Sequence, residues 1–269
     1  MTLSTTLLLF GGGILTGTVG AMLGLGGGVF LIPFLVIVLE LPMHQAIATS
    51  ILAVIATSSA GAVMNLERGM VNIRLGMVLE TATVAGAMFG GITANYLSAE
   101  TLRQIFAVLL FVVSGVMFWK IRQSPRGDVA HEGTLRAEYT DDATGQIVSY
   151  GVRRMPVIMG VSLAAGNISG LLGVGGGIFK VPAMTLLGGM PMKAATATSN
   201  FMIGVTAAAS AFIYLANGHM NPLVAAPTAL GVLCGSFLGI RISRTIQSKV
   251  LTVFFALFLL FVAVQFISR

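Results

Sequence analysis

The residues able to do chemistry in this chain are few, and most of them are backbone. Two glycine runs stand out, GLGGGVFLIP at 24–33 and GVGGGIFKVP at 173–182. Glycine costs about 1 kcal/mol relative to alanine at a helical position, so the chain is expected to unwind at each run. The short helix that follows would open with free N–H groups and the positive end of its dipole, an arrangement that favours anions. A segment rich in hydroxyls comes next in each case. HQAIATSILAVIATSSA carries Thr49, Ser50, Thr57 and Ser58, and KAATATSNFMIGVT carries Thr198, Ser199, Asn200 and Thr206. Hydroxyls and an amide can replace part of an anion's hydration shell without a buried charge. The competing readings are close helix packing through small residues and back-bonding of Ser and Thr to their own helix.

Two ionisable residues fall inside apolar stretches, and an ionisable group in such a place is a functional hypothesis by default. Lys180 follows the second glycine run, where the first run has Leu31. It either neutralises an anionic ligand or snorkels to an interface. Glu80 either carries a coupling proton or pairs with a nearby base such as Arg74. The candidate binding residues are therefore Gly26, Gly27, Gly28, Thr49, Ser50, Gly175, Gly176, Gly177, Lys180, Thr198, Ser199 and Asn200, with Glu80 as coupling candidate. No cofactor and no metal site is expected. The three histidines and single cysteine form no ligand set, and the glycine runs lack both the Lys-Ser/Thr ending of a P-loop and a surrounding βαβ unit.

The elements that must hold these residues follow from composition. Of 269 residues, 56% are hydrophobic and 9% charged, with a mean hydropathy of +0.95. A soluble domain carries about 25% charged residues. A β-barrel would show alternating segments of about ten residues rather than long apolar blocks. An all-α polytopic membrane protein remains. The charge of +6 reads as topology rather than nucleic-acid binding.

The chain repeats itself at an offset of 149. Gly24, Gly26, Gly27 and Gly28 match Gly173, Gly175, Gly176 and Gly177, Pro33 matches Pro182, and Thr49, Ser50 and Thr57 match Thr198, Ser199 and Thr206. Residues 1–120 form one membrane repeat, 121–152 a charged linker and 153–269 the second repeat. Five segments are expected per repeat, at 4–23, 29–40, 44–66, 74–97 and 102–120, then 154–172, 178–188, 193–216, 222–241 and 249–267. The second segment of each is too short to span, since twelve residues rise about 18 Å against a core of about 30 Å. An odd number of segments makes the repeats inverted. Twelve Lys or Arg then share the linker's face and two lie on the other, which places the linker in the cytoplasm and both termini in the periplasm.

The duplicated GLGGGVFLIPFL and GLLGVGGGIFKVPAM, each followed by Pro-Met and then an A-T-S helix (HQAIATS, KAATATSN), resemble the sulfite exporter TauE/SafE family of membrane permeases. The resemblance covers nearly the whole chain. It implies a secondary transporter of the bacterial inner membrane for small sulfur-containing anions such as sulfite or organosulfonates, often running outward. The partners expected are that anion, the lipid bilayer, a coupling proton or sodium, and a second copy in a homodimer; nucleic acid is not among them. A channel-like anion pore, or a carrier whose Gly/Thr/Ser site holds a cation, stays open as an alternative. The linker, with TLRAEYTDDATGQIVSYG, is long and charged enough to form a small hairpin.

Overall fold

The computed structural model describes residues 2–23, 26–122, 133–140, 145–242 and 248–268. Ten α-helices and one two-stranded hairpin occur among them. The first repeat holds α1 (Leu3–Leu23), α2 (Gly28–Pro33), α3 (Met43–Glu67), α4 (Ile73–Tyr96) and α5 (Ala99–Arg122). The linker supplies β1 (Thr134–Thr140) and β2 (Ile147–Val152), paired antiparallel. The second repeat holds α6 (Met155–Leu172), α7 (Gly177–Pro182), α8 (Met192–Ala216), α9 (Pro222–Ile242) and α10 (Ser248–Ser268). The short helices α2 and α7 each end on a proline and continue as one π-helical turn, Phe34–Val38 and Ala183–Leu187. A proline lacks the N–H that would extend the α-ladder, and a wider turn accommodates that gap. Every expected segment is present, with ends shifted by three residues or fewer.

Among the described residues, seven helices are long and apolar enough to cross a membrane. Their outward residues are apolar, among them Leu15, Phe89, Phe212 and Phe237. Lipid tails give such faces no reason to hide from them, so helix association relies on close packing. Small residues supply it. A methyl group at Gly231, Gly235 or Gly239 of α9 would collide with the carbonyl oxygens of Phe10, Ile14 and Thr18 on α1. One at Gly86 or Gly90 of α4 would collide with those of Leu163 and Asn167 on α6. Residue numbers rise together along both seams, so each pair runs parallel.

Under the 149-residue offset, the packing of α1 on α9 corresponds to that of α6 on α4. Further pairings are α3 with α8, α5 with α10, and α4 with α8 alongside its counterpart α9 with α3. Hydrogen bonds fix the ends. The His44 ring meets the Ala94 carbonyl at 3.2 Å and His219 meets Asn95 Oδ1 at 2.7 Å. The starts of α3 and α9 and the ends of α4 and α8 therefore share one end of the bundle. At the other end the Arg153 N–H donates to the Gly188 carbonyl at 3.0 Å, joining the start of α6 to the exit from α7. Each α1–α2 and α6–α7 unit is a hairpin that leaves and returns on one side, and the two enter from opposite ends.

Candidate functional site

The glycine runs interrupt the helices as expected. α1 stops at Leu23 and α2 starts at Gly28; α6 stops at Leu172 and α7 starts at Gly177. Gly26, Gly27, Gly175 and Gly176 have φ of +79°, +76°, +83° and +66°. Any other L-residue pays about 1–2 kcal/mol there. Gly24 and Leu25 lie outside the described residues.

The two breaks meet. A Cβ on Gly26 would lie 3.6 Å from Val54 and 3.8 Å from Ile203, and one on Gly175 would lie 3.0 Å from Ile203 and 3.2 Å from Val54. Val54 and Ile203 are themselves 149 residues apart, so both breaks rest on one repeat-related pair. Ser50 Oγ donates to the Gly173 carbonyl at 2.8 Å, tying α3 to the opposite break. A Cβ on Gly28 would come within 2.5 Å of that same carbonyl.

Beside this meeting point is a narrow, half-open cleft lined by Gly20, Ala21, Gly26, Thr57, Ser58, Gly61, Asn200, Ile203 and Ile240. Its polar groups carry no net charge. Thr57 donates to its own helix at Ala53 (3.0 Å), and Ser58 donates to the Asn200 backbone carbonyl at 2.6 Å. Among the described residues, the Asn200 side-chain amide makes no protein hydrogen bond in this cleft and can donate to a small ligand.

The charged residues lie elsewhere and together. The Lys180 ammonium, with a fully buried side chain, stands 3.9 Å from Glu80 Oε2, whose side chain is 9% exposed. Thr206 bridges them: Lys180 Nζ donates to Thr206 Oγ1 at 3.1 Å, and Thr206 Oγ1 lies 2.6 Å from Glu80 Oε1 and 3.0 Å from the Met202 carbonyl. Glu80 Oε2 is buried with no hydrogen bond. Snorkelling of Lys180 is therefore excluded, since its side chain ends inside the bundle. Pairing of Glu80 with Arg74 is also excluded, since Arg74 is exposed. The pair joins the repeats, with Glu80 on α4 and both partners on α7 and α8.

The other candidates divide. Gly26 and Asn200 line the cleft, and Gly27 approaches Thr57. Gly177 and Gly28 begin the half-helices. Thr198 Oγ1 accepts the Asn72 N–H at 3.0 Å, a tie between α8 and the start of α4. Thr49 Oγ1 and Ser199 Oγ are buried without partners. Thr206 was legible as a hydroxyl donor of its segment and as the repeat mate of Thr57, but not as the bridge between Lys180 and Glu80. Asn72, which caps α4 through the Leu75 N–H (3.0 Å), carried no signal beyond its match to Asn221.

The family model of the sulfite exporter TauE/SafE matches residues 9–266. The chain belongs to the TauE/SafE family. Relatives include the probable membrane transporter protein YunE of Bacillus subtilis, 30% identical over 95% of this chain and 94% of its own. The probable membrane transporter protein YdhB of the same organism is 23% identical over 91% of each chain. A probable membrane transporter protein of Xylella fastidiosa is 25% identical over 100% of this chain and 97% of its own. No solved structure matches. This TauE/SafE protein is thus a multi-pass membrane transporter, not an enzyme.

Proposed function

We propose that this TauE/SafE protein is a secondary transporter that exports small sulfur-containing anions, such as sulfite or organosulfonates, across the inner membrane by alternating access. Two inverted repeats, 1–120 and 153–269, would rock about the breaks, with the linker 121–152 in the cytoplasm and both termini in the periplasm. The observation that carries this reading is the meeting of Gly26 and Gly175 on Val54 and Ile203, beside an uncharged cleft into which Thr57, Ser58 and Asn200 bring polar groups. Inverted repeats with discontinuous helices place binding sites at such a junction. The grouping of Arg68, Arg74, Arg153, Lys193 and Arg241 toward the linker's end supports the orientation.

In this reading the glycine backbone, Thr49, Ser50, Thr198, Ser199 and Asn200 replace the anion's water. Lys180 supplies charge only when Glu80 releases it, and Glu80 is the group that a coupling proton would discharge. Among the described residues no second carboxylate stands beside Glu80 to help hold a cation, which favours a proton over sodium. An inside-negative potential favours efflux of a monovalent anion by about 2.3 kcal/mol per 100 mV.

Reconstitution into liposomes tests this, with sulfite, sulfate, thiosulfate and sulfoacetate at set voltages and with or without a proton or sodium gradient. Saturable flux with counterflow supports alternating access. Non-saturating conductance without counterflow would instead mark an anion pore.

A further inference from the structure

The linker hairpin is not a loose connector. Along β1, Leu135, Ala137 and Tyr139 turn inward, while Arg136, Glu138 and Thr140 are exposed. This is the alternation of a strand with one covered face. Tyr139, Tyr150 and Val152 are 7%, 3% and 1% exposed. Burial pushes the Tyr150 hydroxyl up to about 12. These side chains share one apolar cluster with Leu75 and Leu79 of α4, Val181 of α7 and Met184 in the turn after it, and Ala195 and Met202 of α8.

That cluster adjoins the buried ion pair. Leu79 precedes Glu80, Val181 follows Lys180, and the Met202 carbonyl faces Thr206 Oγ1. Glu80 is eight residues into the membrane from the α4 cap, about 12 Å of helix rise. Asn72 joins the layers. Its Nδ2 donates to the Leu135 carbonyl of β1 at 3.0 Å, its Oδ1 caps α4, and its N–H reaches Thr198 on α8. The repeat mate Asn221 also caps its helix, through the Leu223 N–H. Among the described residues, no strand covers that opposite end.

We propose that the linker hairpin is a lid over the linker-side mouth of the Glu80–Thr206–Lys180 site, held shut through Asn72, and that ions reach the site from that side only when it lifts. A two-stranded hairpin has little stability of its own, so it can leave the bundle without unfolding it. The lid depends on the protein being a transporter, not on which anion it carries.

The test is cysteine labelling in proteoliposomes of full-length protein carrying Cys234→Ser. Ala195→Cys reports the covered layer and Ser149→Cys the exposed strand. With the linker face accessible, a membrane-impermeant maleimide should react with Ala195→Cys about tenfold more slowly, as expected where reaction awaits local opening. Asn72→Asp keeps the cap acceptor but removes the donor to Leu135, and should speed labelling of Ala195→Cys roughly five-fold for one lost hydrogen bond. Exchanging 134–152 for a Gly/Ser segment should abolish protection. Equal rates at the two cysteines in the intact protein, or protection that survives the exchange, overturn the lid. Labelling involves no transported anion, so its result stands apart from the flux assays above.

Discussion

Removing one member of the buried pair should cost far more than removing both. Lys180 is fully buried and Glu80 nearly so, with 3.9 Å between the charges and a single hydroxyl bridging them. Glu80→Gln leaves the ammonium in an apolar interior with only Thr206 as partner. Lys180→Met leaves the carboxylate with the same hydroxyl alone. Breaking a buried pair from one side costs about 3–5 kcal/mol, whereas apolar replacement of both partners is often neutral. On soluble-domain scaling that is a fall in melting temperature of roughly 6–20 °C for each single variant. The double variant Glu80→Gln/Lys180→Met should recover most of it. Thermal unfolding of the four purified proteins in detergent completes the cycle, and flux measurements on the same proteins separate stability from coupling. A double variant no more stable than the worse single one, or single variants within about 1 kcal/mol of the parent, would refute the idea that the two charges compensate each other.

Gly28→Ala should weaken folding by about 1–3 kcal/mol, because the added Cβ would sit 2.5 Å from the Gly173 carbonyl and 2.7 Å from Ser50 Oγ; normal stability and flux would mean the breaks need not touch. Gly176→Leu should insert normally and transport nothing, since a side chain there combines a φ of +66° with a 3.0 Å approach to the Ala165 carbonyl; wild-type flux would remove the breaks from the mechanism. His219 is held below its ordinary 6.5, first by partial burial and then by His44, whose ring stacks on it at 4.8 Å. Its neutral form is the folded one, so this contribution is full above 6.5 and is lost as pH falls below it. Asn95 and Tyr214 are its other neighbours. Thermal stability should therefore drop on acidification and drop less in His219→Gln; equal slopes for both proteins would show that the ring contact does not titrate. Ser58→Ala should raise the Michaelis constant several-fold by freeing the Asn200 backbone and reshaping the cleft, about what one hydrogen bond contributes; an unchanged constant would place the ligand elsewhere.

The sequence by itself determined the helices and their interruptions. Long apolar blocks have one stable form in lipid, and glycine runs cannot hold that form, so both features follow from local chemistry. The 149-residue offset likewise fixed which residues are mates, such as Val54 with Ile203 and Thr57 with Thr206. What it left open were contacts between elements far apart in the chain. Lys180 read as either an anion site or a snorkelling side chain, and Glu80 as either a proton carrier or a partner of Arg74. Only the packing of α4 against α8, with α7 beside it, joined the two residues. The same holds for the hairpin: its strands were legible as a polar turn-containing linker, but its seat depends on Leu75 of α4, Met184 after α7 and Met202 of α8 being brought together. Alternation and composition report what one segment buries, whereas the identity of the partner surface is a property of the whole assembled bundle.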